Sequence, residues 1–84
     1  MPAKARNTPI KMTEAIKVTE FVVFCIEMYA QAHQLSGVKV AVVFENAGLL
    51  HYLSSCYQEL HANGKEWLLN TIDDFLKNRG VTIE

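Results

Sequence analysis

Proline and glycine are scarce in this chain, two and four among 84 residues, and cysteine occurs twice. So little Gly and Pro excludes a linker-like or collagen-like chain, and a composition half hydrophobic and one-fifth charged is that of a folded domain. At this length there is room for one small core and no second domain. Two cysteines cannot form a disulfide framework. Cys25 and Cys56 both fall inside apolar patterns, and reduced, buried thiols are expected. Charge of one sign is missing too, since the formal sum is −1. Apart from a weak run, Lys4 to Lys11, there is no basic footprint, and nucleic acid is not the expected partner.

No apolar run approaches the roughly 20 residues that a membrane span needs. The longest, FVVFCI at Phe21–Ile26, is closed by Glu27, so no membrane association is expected. The opening MPAKARNTPIKMTEAIK is polar and mixed, without the apolar stretch of a secretory signal, which makes the cytoplasm the default location. Motifs of catalysis are absent as well: no CxxC, no HxxxH, no Gly-rich phosphate loop, no GxSxG and no HExxH. The sequence therefore predicts no catalytic residue, no cofactor, no metal and no enzyme.

What is present is helical periodicity. Residues 1–12 read as a flexible N-terminal arm, 13–80 as a helical domain and 81–84 as a tail with extended character. Thr13 suits a helix N-cap and Glu14 the positive end of the dipole. The first helix then runs to Gln34 or Leu35, with Ser36-Gly37 closing it and Ser36 capping a second, Val38–Asn46. VKVAVVF is rich in β-branched residues but lacks strict alternation, and Asn46-Ala47-Gly48 looks like a helix end. A third helix spans Leu49–Ala62 with Leu50, Leu53, Tyr57 and Leu60 at three- and four-residue spacing, ended by Asn63-Gly64. A fourth, Lys65–Asn78, aligns Leu68, Leu69, Ile72, Phe75 and Leu76. The fold class is all-α, a compact bundle of about four helices with short connections.

On a wheel of 100° per residue, Val18, Val22, Cys25, Tyr29 and Ala32 share one side of the first helix. Phe21, Ile26 and Met28 flank them, and Val23 and Ala30 widen the arc. Lys17, Glu20, Glu27, Gln31 and Gln34 hold the opposite side, with Phe24 between Glu20 and Glu27. This arc exceeds the ~100° stripe of an ordinary surface helix, and three short partners cannot readily cover Phe24 as well. Trp67 points away from Ile72 and Phe75 on the last helix. Either aromatic is internal packing or one of them meets a partner, because apolar patches and Trp mark interaction sites. The candidate partner-binding residues are Phe24, Glu27, Gln31 and Trp67.

The titratable residues have plainer uses. Cys25, Cys56 and His61 could meet as ligands only through tertiary packing, and a Cys–His nucleophilic pair would need an exposed thiol. His61 is placed to bond free carbonyls at the end of the third helix. Asp73 lies at the edge of a core face, where it could accept a hydrogen bond from Tyr52, Tyr57 or His61.

FVVFCIEMYA, then LSG, Phe44, HYLSSCYQELHANG and TIDDFLKNRG follow one another in an order that resembles a family of short bacterial proteins, domain of unknown function 3791. The resemblance covers roughly Thr19 to Arg79, and its most specific elements are Cys25–Ala30 and Cys56–Gly64. It implies a small, cytosolic, helical protein whose gene neighbours one for an ADP-ribosyltransferase-like protein, as in a toxin–antitoxin or related pair. It carries no catalytic residues over. The expectation is a non-enzymatic interaction module, antitoxin-like or accessory to that enzyme. The alternatives are a self-associating homodimer and, behind it, a nucleic-acid regulator using the basic arm. A core this small rarely supplies more than ~3–5 kcal/mol, and without a disulfide or metal, association is the remaining means of stabilisation.

Overall fold

Three residues in the left-handed region, Gln34 (φ 56°), Gly48 (φ 81°) and Gly80 (φ 69°), fix where the three longest helices stop. The computed structural model describes residues 12–82, and they form α1 Met12–His33, α2 Gly37–Ala47, α3 Leu49–Ser55, α4 Tyr57–Leu60 and α5 Lys65–Asn78. Among the described residues there is no strand, and the all-α expectation holds. The VKVAVVF segment is helical throughout α2.

Helix α1 ends in a Schellman turn: Leu35 N–H reaches the Ala30 carbonyl at 2.8 Å while Gln34 N–H bonds Gln31. The sequence reading placed this end at Ser36-Gly37. Gly37 is instead the first residue of α2, and Gln34 adopts the left-handed turn that glycine usually occupies. Ser36 does cap α2, accepting from Lys39 N–H at 3.0 Å through its hydroxyl. Gly48 alone joins α2 to α3, its N–H bonded to Glu45 and Phe44 carbonyls. Helix α5 closes as α1 does, with Val81 N–H on the Leu76 carbonyl at 2.9 Å and Gly80 in the left-handed position.

The expected third helix, Leu49–Ala62, is two helices. The chain kinks at Cys56 (φ −107°, ψ 25°), leaving α3 and the single turn α4. Ser54-Ser55-Cys56 are weak helix formers, two of them with hydroxyls that compete for the backbone, which is where a kink is cheapest. The bonds from Cys56 N–H to Tyr52 and from Leu60 N–H to Cys56 persist across it, so the apolar spacing is undisturbed and hid the kink from sequence reading. Asn63 then closes α4 with its side-chain amide on the Glu59 and Leu60 carbonyls, at 2.8 and 3.2 Å. Thr13 lies inside the first turn of α1 rather than before it. The rest of the expected arm, with its basic run, and the end of the tail lie outside the described residues.

The core gathers on α1, whose Phe21, Cys25, Met28 and Tyr29 recur every three or four residues and are buried. Against them α2 sets Val40 and Phe44, α3 Leu49 and Leu53, α4 Leu60, and α5 Leu68, Ile72 and Leu76. Each of the three longer partners presents a row at i, i+4, and α1 touches α2, α3 and α5 directly. Three aromatic contacts extend the core outward: Phe21 edge-on to Tyr57 (5.5 Å), Tyr29 to Phe44 (5.4 Å), and Tyr52 stacked on Phe75 (5.0 Å) beneath the Arg79 guanidinium (3.8 Å).

The left-handed positions give opposite expectations for two substitutions. Gly48→Ala meets no steric neighbour but forces a Cβ into φ 81°, and should cost about 1–2 kcal/mol. Gln34→Gly relieves the same strain at the end of α1 and should gain up to about 1 kcal/mol. Urea midpoints at constant m-value check both, and equal signs would contradict this account of the helix ends.

Candidate interaction surface

Nine residues of α1, Met12 to Glu20, precede the first buried position at Phe21, and all are exposed except the half-buried Val18. Within this stretch and just after it, Met12 (74 % exposed), Ile16 (49 %), Val23 (44 %) and Phe24 (47 %) show apolar side chains to solvent. Met12, Ile16, Thr19 and Val23 follow one another at spacings of four, three and four, a single stripe along the helix. The Thr19 hydroxyl donates back to the Ala15 carbonyl at 3.0 Å, so its polar atom is satisfied within α1.

Phe24 lies on a different side, in a groove of about 420 Å³ between α1 and the junction of α4 with α5. Phe21, Phe24, Tyr57 and Leu68 give the groove its apolar surface, and Lys17, Glu20, His61 and Lys65 its charged or titratable one. His61 stacks on Tyr57 at 4.3 Å and donates through Nδ1 to the Tyr57 carbonyl at 2.8 Å, which confirms its expected role at the helix end. That bond fixes the ring and leaves Nε2 as its second polar atom.

Of the four residues singled out by sequence, only Phe24 lines this groove. Glu27 and Gln31 continue its face along α1 and are exposed, and Trp67 on α5 is 45 % exposed beside two lining residues, Lys65 and Leu68. Neither aromatic is core packing. Lys17 and Lys65 were not singled out; their convergence depends on the docking of α5 against α1, to which no spacing in the sequence points.

At the far end of α1, Tyr29 donates to Asp73 Oδ1 at 2.8 Å, and His33 Nε2 stands 3.9 Å from the same oxygen. The sequence reading offered Asp73 to Tyr52, Tyr57 or His61; Tyr29 takes it, because α5 lies along α1 and brings the edge of its apolar face to that tyrosine. Burial, then the hydrogen bond to Asp73 and its negative charge, hold the Tyr29 phenol above its ordinary range. Half-exposed His33 and Asp73 form at best a weak ion pair when the imidazole is protonated.

Cys25 has no exposed surface, and burial pushes its thiol from 9.0 up to about 12. Such a thiol is neither a nucleophile nor a ligand at neutral pH. Cys56 is free and half-buried at the kink. Among the described residues no three His, Cys, Asp or Glu side chains group so as to hold a metal ion, and no helix is long and apolar enough to cross a membrane.

The two raised groups make stability fall at high pH. Below about pH 9 both are protonated in the folded and unfolded chains and their contribution is constant. Between pH 9 and 12 the unfolded chain releases the Cys25 proton, and from about pH 10 that of Tyr29, while the folded chain keeps both. The folded state then binds more protons, and stability declines as pH rises. Urea midpoints should therefore be level from pH 7 to about 8.5 and drop above pH 9, with the onset in Cys25→Ala displaced upward by about one unit. An unchanged onset would mean that burial of the thiol does not govern it.

No characterised protein and no solved structure matches this chain. A family model does, over residues 20–79, and its description is "Protein of unknown function (DUF3791)". The match takes in the groove aromatics, His61, Lys65 and the Tyr29–Asp73 bond, and leaves Met12–Thr19 outside. The all-helical chain described above, with the order of elements that suggested the resemblance, belongs to the DUF3791 family.

Proposed function

We propose that this protein is a non-enzymatic, helical protein-interaction module of the cytoplasm, the antitoxin-like or accessory partner of a neighbouring ADP-ribosyltransferase-like protein. The observation that carries the interaction reading is the apolar surface of α1: Met12, Ile16, Val23 and Phe24 stand exposed on one helix, with Trp67 exposed on α5. Scattered single apolar residues are normal on a protein surface. Met12, Ile16 and Val23 run in one stripe along α1, with Phe24 about 100° around the helix from them, and an apolar run of this kind marks interaction sites.

The chemistry of the remaining residues supports a non-catalytic role. Cys25 is held protonated, His61 is committed to a backbone carbonyl, and Asp73 accepts from Tyr29. The identity of the partner enzyme rests on the family resemblance alone.

A second reading is favoured by the spacing of Met12, Ile16, Thr19 and Val23. A stripe at four, three and four residues is the seam along which two helices pair, so a homodimer through the first half of α1 would cover it.

Phe24→Asp is the discriminating variant. Phe24 is already half in water, and the fold should lose no more than about 1 kcal/mol. Capture of the co-expressed neighbouring gene product should fall severalfold. Capture equal to wild type, with the fold intact by circular dichroism, would remove Phe24 from the binding surface. Solution mass separates the second reading, because a dimer through the stripe should dissociate on Ile16→Asp and be indifferent to Phe24→Asp.

A further inference from the structure

The exposed stripe of α1 is apolar but carries nothing that selects one partner over another. The groove beside it does. Its apolar surface is aromatic and continuous, since Phe21 meets Tyr57 edge-on at 5.5 Å and Tyr57 stacks on His61 at 4.3 Å, with Phe24 and Leu68 completing the lining. At its margins stand Lys17 from α1 and Lys65 from the start of α5, both exposed. Among the described residues neither makes an ion pair. Glu20 is the single carboxylate in the lining, against two ammonium groups. The chain as a whole sums to −1, so this is a local excess of positive charge on a protein whose net charge is slightly negative.

Because Lys17 and Lys65 come from different helices, the excess arises only when α5 docks on α1. Long, rotamer-rich ammonium side chains flanking an aromatic trough present apolar contact in the middle and positive charge at the sides. The complementary surface is a row of large apolar side chains with carboxylates beside it.

We propose that the groove between α1 and the α4–α5 junction docks an acidic, amphipathic segment of a partner protein. Its apolar side chains lie on Phe24, Tyr57 and Leu68, and its carboxylates meet Lys17 and Lys65. This rests on the interaction reading and names the chemistry of the partner. It also moves the binding surface: Phe24 is retained, Glu27 and Gln31 fall outside, and the selective groups are cations that the polar face of α1 does not reveal. A basic segment is refused by the same lysines. Single-stranded nucleic acid would share the aromatic contacts, but its phosphates need a continuous cationic track, and here Glu20 interrupts one made of two lysines.

The test is selection of random 16-residue displayed peptides on the full 84-residue chain, repeated on the double variant Lys17→Glu/Lys65→Glu. Both lysines are exposed, so the variant should keep the wild-type circular dichroism spectrum. Peptides enriched on wild type should place Asp or Glu beside Leu, Phe or Met. A synthetic copy should shift the amide resonances of Phe24, His61 and Leu68, and bind the double variant at least tenfold more weakly. Basic or uncharged winners, no enrichment at all, or equal affinity for the double variant would each overturn the proposal. So would displacement of the peptide by a 15-nucleotide oligo-dT at equal concentration. Acidic peptides that instead shift Met12, Ile16 and Val23 would remove the groove while leaving the interaction reading in place. Acidic peptides in the groove, together with no capture of the co-expressed neighbouring gene product by the wild-type chain, would uphold the groove chemistry and remove the proposed function.

Discussion

Everything in this fold leans on one face of one helix. Phe21, Cys25, Met28 and Tyr29 of α1 form the buried row of a helix that meets α2, α3 and α5. Each fully buried side chain of this kind is worth roughly 1.5–3 kcal/mol relative to exposure. The partners contribute rows of two or three, Val40 with Phe44, Leu49 with Leu53, and Leu68 with Ile72 and Leu76, none of which could form a core without α1. Cys25 is fully buried in this core, where a thiol serves as a small apolar side chain. The same burial that makes it a good filler makes it chemically inert.

The dependence on α1 has a geometric consequence. At 1.5 Å per residue, its 22 residues span about 33 Å, against about 17 Å for the 11 residues of α2 and about 21 Å for the 14 of α5. Partners of that length, packed around the second half of the helix, cannot also cover the first. Exposure of Met12 and Ile16 is therefore imposed by the lengths of the helices and not by a local fault of packing. Phe24 is bared differently, since it falls within the packed half but on the side that the α4–α5 junction only approaches.

Much of this was legible because it depends on local chemistry. The 3.6-residue period fixed the existence of α1 and α5, the lack of strict alternation and the Asn46-Ala47-Gly48 end pointed to α2, Ser36 announced its own cap, and Gly48 and Gly80 marked helix ends. Gln34 escaped because a glutamine carries no signal for a positive φ; the neighbouring Gly37 attracted the boundary instead. The kink at Cys56 escaped because Leu53, Tyr57 and Leu60 keep their spacing through it. The bond between Tyr29 and Asp73 was legible only in halves: both residues could be seen at the edges of apolar faces, but which helix lies beside which is a tertiary fact. The same limit applies to the groove. Phe24 stood out as a break in the polar face, whereas Lys17 and Lys65 look like ordinary solvated lysines until α5 lies against α1.

The apolar contribution available to a partner in the groove is modest. Phe24 is 47 % exposed, so covering the remainder yields on the order of 1 kcal/mol, and the edges of Tyr57 and Leu68 add comparable increments. Charge pairs at an exposed margin add selectivity and speed of encounter more than affinity. A segment bound only here would therefore exchange rapidly. Glu20 borders both the groove and the hollow beside Met12 and Ile16, so the two surfaces share a ridge and lie about 100° apart around α1. A partner that crosses this ridge gains the stripe as well as the groove, and with it most of the apolar surface that the lengths of the helices leave bare. Tight binding to this module thus requires a partner that wraps α1, with the groove deciding which partner and the stripe deciding how firmly it is held.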